Sequence, residues 1–581
     1  MLKRSNKQKS SFFKPFLLQL EDRITPTAFS EPIVLASTNG VLDITLLGHQ
    51  SNQLLETSTG PSTTALTNTG GFYTYQWTLN AGQAKQNGVN VAATTGDSYP
   101  GPTLFANRGD TIRITLQNDL PDSIPLAPNV NTAFKLASTM APGPQPINNH
   151  MHGLHVSPGG ASDNVLLEIP QSMAFVYEYV IPQSQPDGLF WIHNHRHEFT
   201  SDQTYRGLAS MLIIGNAASN INQISAIPAA NQRVMALQTQ TLAHTTNPSI
   251  PTYLTTPMAN GSAITVAGLP NPTQYLQYFQ GGSVQTPELG TTGGVPTAFL
   301  KQYSVNGLVN PTITVGQNQT EVWSFANISA VTNFQIQLYD QSSALVSGKL
   351  FQIAQDGNAL VNPVAGNGLI IAPGSRYSFA ITAPSISGNT YTIKANDIQS
   401  GTSNANPPYN ISLVTLIANS SPGSPTNITT STILTSSSNL PFEDLSTQTV
   451  TTTRTVTFSS EVANPNAGGS IAGGTGNAFE ITGESFPNNL IFQPRLNTVE
   501  EWTLYNYSNQ PHPFHIHVND FQVMSIFAPT EPSGAVQFYP GNVTTPYQYG
   551  LDVINVPPAL FANKVITGLT VTSGASGHRI Y

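Results

Sequence analysis

Histidine is sparse in this chain and placed very unevenly. Nine of its twelve histidines fall in three short clusters: His150, His152 and His155; His193, His195 and His197; His512, His515 and His517. Four His-x-His pairs lie within them: His150/His152, His193/His195, His195/His197 and His515/His517. A β-strand puts alternate side chains on one face, so each pair on a strand aims two imidazoles at one point. Neutral imidazole is the commonest protein ligand for transition metals and suits copper, zinc, iron and nickel. Clustering and spacing together predict a multinuclear metal site. The remaining histidines, His49, His244 and His578, read as surface or satisfied core residues.

The rest of the chain predicts the scaffold. At 581 residues it is too long for one ordinary domain, and three is the natural expectation. Only 9% of residues are charged, while 46 glycines and 44 prolines punctuate the chain, which favours β-domains rich in turns over helical ones. A net charge of −9 is mild for this length and argues against a nucleic-acid binder. There is no cysteine, which excludes disulfides and cysteine-ligated zinc or iron–sulfur sites without deciding the compartment.

An internal repeat sharpens this. Glu321-Val322-Trp323-Ser324-Phe325-Ala326-Asn327 and Glu500-Glu501-Trp502-Thr503-Leu504-Tyr505-Asn506 both read E-x-W-x-(F/L)-x-N. Gly109 to Asn118 is a fainter copy whose period-two alternation marks a half-buried strand. The predicted fold is all-β: three consecutive Greek-key β-sandwiches over residues 30–220, 221–420 and 421–581, after a basic leader at 1–29. The Ser/Thr/Asn-rich run from Asn419 to Asn439 reads as a linker or long exposed loop.

The wording around the histidines resembles a known family. Asn149-His150-Met151-His152-Gly153, Phe190-Trp191-Ile192-His193-Asn194-His195 and His512-Pro513-Phe514-His515-Ile516-His517 are similar to three of the four copper motifs of multicopper oxidases, the laccase-like enzymes. Tyr99 to Leu104, then Gly109, Asp110 and Asn118, resemble the segment before the first motif. Gln203, Gly207 and Leu208 resemble the stretch after the second, and Gly550 to Pro558 the lead-in to the last strands. The resemblance implies three cupredoxin-like domains and one-electron oxidation of a phenolic, aromatic or metal-ion donor coupled to reduction of O2 to water. It implies His150 and His515 as type-2 copper ligands, His152 and His193 on one type-3 copper, and His195 and His517 on the other. His512 would be a type-1 ligand. Asp163, eleven residues after His152, would be the acid that passes protons toward oxygen, with a turn-forming Asp as the competing reading. His155 and His197 fall outside the family's ligand positions, where they would either orient a ligand ring or lie idle at the surface. Val518 stands where many laccases have Gly, a difference expected to bear on strand packing.

The family's fourth motif contains the cysteine of the type-1 (blue) copper, and this chain has no cysteine. As written, the sequence reads as a multicopper oxidase that stops, or changes frame, before its last ligands. The expectation is a copper cluster short of two histidines, no type-1 copper and a third sandwich lacking its final strands. Two alternatives to an active oxidase follow: a truncated or inactive copper-binding relative, and a β-sandwich surface protein binding zinc. The expected partners are O2 and a small reducing substrate, with no transmembrane segment and the oligomeric state open. Leu20-Glu21-Asp22-Arg23-Ile24-Thr25-Pro26-Thr27 resembles a signature near the start of many exported proteins of planctomycete bacteria, so export to the periplasm, cell surface or medium is expected; a disordered basic leader without an address is the alternative.

Overall fold

The computed structural model describes residues 28–51, 72–120, 145–196, 199–215, 227, 231–244, 251–253, 263–265, 275–277, 288–292, 295–330, 332–398, 411–434, 444–460, 479–481, 492–506, 511–526, 547, 550–556 and 578–580. The basic leader and His197 lie outside them, as do the side chains of His244 and His578. Among the described residues the chain is almost wholly β, with one α-helix, Thr200–Arg206, and a 3-10 turn at Leu445–Thr447.

Strands gather into three successive sandwiches. In the first, a seven-stranded sheet that ends in Ala209–Ile214, Gly188–His193 and His150–His152 faces a five-stranded sheet centred on Val41–Ser51. The faint sequence copy, Thr111–Asp119, alternates inward and outward as its period-two pattern predicts. It runs parallel to Val41–Ser51, setting Leu42 beside Ile112, Ile44 beside Ile114 and Leu46 beside Leu116. All six side chains are fully buried, each contributing roughly 1.5–3 kcal/mol.

The two strong copies of the repeat sit in the equivalent place, each parallel to the first long strand of its sandwich. Thr320–Asn327 pairs with Gln232–His244, and Val499–Asn506 with Val450–Ser460. Their shared letters have one physical cause. Glu321 accepts from the Trp323 indole at 2.8 Å and, bidentately, from Arg233 at 3.0 and 3.0 Å. Glu500 does the same for Trp502 at 2.9 Å and Arg454 at 2.6 and 2.9 Å. The closing asparagine ties off its strand: Asn327 donates to Thr332 and Ile371 carbonyls, Asn506 to Val556 and Asn118 to Gln145 and Ile169.

Thr320–Asn327 is buried at every position, because both its faces are covered. Trp323 and Phe325 enter the core of the second sandwich. Ala326 instead packs with Val234 and Ala236 against Leu189, Trp191, Ala209 and Met211 of the first sandwich. That apolar seam locks the histidine-bearing strands to the second sandwich. The third has its own core around Trp502, Leu504, Phe514 and Phe521. Its five-stranded sheet includes His578–Ile580, inserted between Val499–Asn506 and Phe521–Val523, while His512–His515 pairs with Val553–Val556.

Candidate metal centre

Three strand ends converge where the first and third sandwiches meet. His150–His152 closes the edge of the seven-stranded sheet, pairing antiparallel with Gly188–His193 so that His193 lies opposite His150. His515 ends its strand, and His517 sits in the bend beyond it. Six imidazoles meet: the His152 ring stacks on His515 with centroids 3.7 Å apart, and His150 stacks on His517 at 4.0 Å. His195 lies 5.1 Å from His150 and 4.8 Å from His517, and His193 is 5.6 Å from His152. The expected convergence of residues hundreds of positions apart is therefore what the fold produces.

Strand alternation aims only the first pair. His193 and His515 are the last residues of their strands, so His195 and His517 lie beyond regular β-structure. Side-chain hydrogen bonds place His195 instead: its N–H donates to Asn148 Oδ1 at 2.7 Å, while Asn148 N–H donates to Asn194 Oδ1 at 3.1 Å. Asn194 in turn donates to Gln203, whose own amide donates to the Pro146 carbonyl. Beyond His517 the chain turns at Val518, with φ of 72°. This corrects the expectation for that position: the missing glycine bears on backbone conformation, not on strand packing. A β-branched residue with positive φ is a strained outlier.

The rings are prepared as neutral donors. His150 Nδ1 lies 2.8 Å from Asp163 Oδ2, and His515 Nδ1 donates to the Asp552 carbonyl at 2.7 Å. In both rings the other nitrogen, Nε2, is buried without a hydrogen-bond partner, as is Nε2 of His152. Burial is the largest cause holding His150, His152 and His193 well below the ordinary histidine value, His195 at about 4 and His517 at about 2. Neighbouring imidazoles add to it. Buried polar atoms rarely go unpaired, and a lone pair on each neutral ring facing its neighbours is what a metal ion requires. Donor atoms of His150, His152 and His515 all lie within 4.8 Å of one another, as do those of His150, Asp163 and His517.

Two models described as multicopper oxidase match the chain, at residues 235–419 and 450–564, together about half of its length. The chain belongs to the multicopper oxidase family. It is 22% identical to a multicopper oxidase of Staphylococcus haemolyticus over 76% of this chain and 72% of that one. It is 28% identical to a laccase of Thanatephorus cucumeris, over 24% of this chain and 21% of the laccase, so it spans about a fifth of that relative's length. The solved multicopper oxidase of Campylobacter jejuni shares the fold, with a TM-score of 0.55 and 17% identity over 93% of this chain and 89% of that one. These matches bear out the all-β, cupredoxin-type reading, and membership implies copper as the metal.

Other candidates in this multicopper oxidase fall elsewhere. His512, at the far end of the His515 strand, stacks on Phe458 at 5.4 Å, and burial lowers it to about 4. His155 Nε2 lies 3.4 Å from Asp520, and His49 is satisfied by Thr74 and Asp97, both at 3.1 Å. Asp163 is no mere turn former. Besides His150 it accepts from the Met151 N–H at 2.8 Å, and burial pushes it up to about 7. Sequence reasoning passed over Arg376 and gave Asp552 no role. In a chain with 9% charged residues, an arginine leading into the buried strand Arg376–Thr382 was the available signal.

Proposed function

We propose that His150, His152, His193, His195, His515 and His517 bind a type-2/type-3 copper cluster, and that the protein is a laccase-like oxidase. Its donor would be a phenolic, aromatic or metal-ion reductant and its acceptor O2. The observation that carries this is the meeting of six neutral imidazoles from two sandwiches with three buried Nε2 atoms left unpartnered. Following the family's pattern, His150 and His515 would hold the type-2 ion, and the pairs His152/His193 and His195/His517 the two type-3 ions. Copper held there would supply the one-electron steps that carry electrons from donor to O2, whose reduction to water takes up four electrons and four protons.

The chain's own residues handle orientation and protons. Asp163 and the Asp552 carbonyl fix the tautomers of His150 and His515 so that Nε2 keeps its lone pair. With its carboxyl pushed to about 7, Asp163 can hold or release a proton beside the cluster near neutral pH. A second reading, a copper binder without turnover, is favoured by one observation: the 581 residues contain no cysteine for a type-1 site. Export of the chain also belongs to this proposal, and cell fractionation would test it; among the described residues no helix is long and apolar enough to cross a membrane.

One experiment separates the readings. The full chain is loaded with copper or zinc, analysed for bound metal and visible absorption, and followed for oxygen uptake with a phenolic donor. A His152→Ala, His517→Ala double variant runs beside it. Copper binding lost in the variant supports the cluster, and oxygen uptake lost with it supports the oxidase. Copper binding without uptake supports the silent relative, and zinc bound to the exclusion of copper overturns both.

A further inference from the structure

The second sandwich supplies none of the six histidines, yet one of its side chains stands a single residue away from two of them. Arg376 is 1% exposed and lies where all three sandwiches touch. Its guanidinium donates bidentately to Asp552 of the third sandwich, Nη1 to Oδ1 and Nη2 to Oδ2, both at 2.6 Å. Nε donates to the Leu189 carbonyl of the first sandwich at 3.2 Å, and Nη1 also to Gly374 at 3.1 Å. The fork lies over the Phe190 ring, 5.6 Å from its centroid. From behind, Asp356 accepts from the Arg376 backbone N–H at 2.9 Å.

Asp552 carries this pairing into the metal centre. Its carbonyl accepts from His515 Nδ1 at 2.7 Å, and its Oδ1 is 3.5 Å from His152 Nε2. Two glycines show how closely the parts are fitted. Gly153, which ends the first histidine motif, has φ of 89°, and a methyl there would lie 2.5 Å from Asp552 Oδ2 and 2.6 Å from Arg376 Nη2. Gly374, with φ of 85°, leaves room for the His152 ring, whose Cε1 would be 3.2 Å from a methyl. A buried ion pair is often no more stabilising than apolar residues of the same volume, because both charges must be desolvated. What a bidentate fork adds is geometry.

We propose that Arg376 is a positioning residue of the metal centre: by clamping Asp552 it sets the His515 ring and the space beside His152. The second sandwich thus holds the centre's shape without lending it a ligand. This rests on the reading of the histidines as copper ligands. Groups that orient metal ligands commonly change affinity by ~10–100-fold when removed.

The test uses the full chain, prepared metal-free, reloaded with Cu(II) and passed through a desalting column. Three readouts are taken: copper per folded chain, affinity by chelator competition, and the cupric EPR spectrum. Arg376→Met is set against Arg233→Met, which breaks an equally bidentate pair in the same sheet, with Glu321 in place of Asp552. Arg233→Met is expected to lower the melting temperature while keeping wild-type copper content and spectrum. Arg376→Met is expected to lose tenfold or more in copper affinity and to alter the EPR parameters, with Arg376→Lys recovering part of the loss. A folded Arg376→Met chain with wild-type affinity and spectrum would overturn the proposal. If that variant does not fold, Asp552→Asn decides: it keeps the carbonyl that His515 uses but breaks the fork, and unchanged affinity and spectrum would again overturn it. Failure of the wild type to bind copper sinks the ligand reading and this proposal together, whereas wild-type behaviour in Arg376→Met sinks this one alone.

Discussion

His150 and Asp163 stand 2.8 Å apart, each side chain 1% exposed, with Met151 N–H donating to the other carboxylate oxygen. The contact fixes which ring nitrogen of His150 carries the proton, and so which one is free. Asp163→Asn should keep the volume and lose that control, because an amide can present its NH2 to Nδ1 and reverse the tautomer. Copper affinity is expected to fall ~10-fold or more, and chelator competition measures it. An affinity equal to wild type would mean that Asp163 does not orient the ring.

Stability without metal should depend on pH in a defined direction. His150, His152, His193, His195 and His517 all sit below the ordinary histidine value, so between about 6.5 and their folded values the unfolded chain takes up protons that the folded chain refuses. Stability contributed by these groups is present above about 6.5 and is lost as pH falls. His512 and His515 are lowered too; Asp163, Glu31, Asp356 and His155 are raised and work the other way, but they are four groups against seven. The melting temperature of the metal-free protein should drop by several degrees from pH 7 to pH 5. Copper should shift that loss to lower pH, since bound metal competes with protons. A flat profile for the metal-free chain would contradict the buried, neutral state of the rings.

Val518, with φ of 72°, immediately follows His517. A non-glycine residue held there stores ~1–3 kcal/mol, partly offset when glycine's extra freedom in the unfolded chain is counted. Val518→Gly is therefore expected to raise stability by about 1 kcal/mol, read as a shift in the denaturation midpoint at unchanged slope. A loss of stability would show that the valine side chain contributes more by packing than its backbone costs.

Glu321 serves three donors at once, the Trp323 indole, the Arg233 fork and the Gln319 amide. Removing the carboxylate takes that acceptor from all three. Glu321→Ala should cost ~3–5 kcal/mol, whereas Trp323→Phe, which removes one donor and keeps an aromatic ring, should cost less. Equal losses in chemical denaturation would argue that the network does not act through its glutamate.

Much of this was legible beforehand because it is encoded among neighbours along the chain. Alternation in Thr111–Asp119 gives a half-buried strand whatever lies next to it, and E-x-W-x-(F/L)-x-N spells out a carboxylate, its indole donor two residues on and the asparagine that ties off the strand. His150 and His152 read correctly for the same reason. His195 and His517 reach the same place by another route, since strand geometry no longer holds past His193 and His515, and asparagine contacts and a strained turn take over.

The sequence by itself determined the chemistry and the unit of construction: imidazoles in pairs, no thiolate, and a β-sandwich written three times. Tertiary structure alone decided which groups meet. Arg376 and Asp552 are 176 positions apart, and no local pattern joins them. Their pairing exists because three sandwiches pack against one another and leave a buried space where one guanidinium and one carboxylate meet beside two histidines. Burial without water makes each unpaired polar group costly, so that junction admits few arrangements.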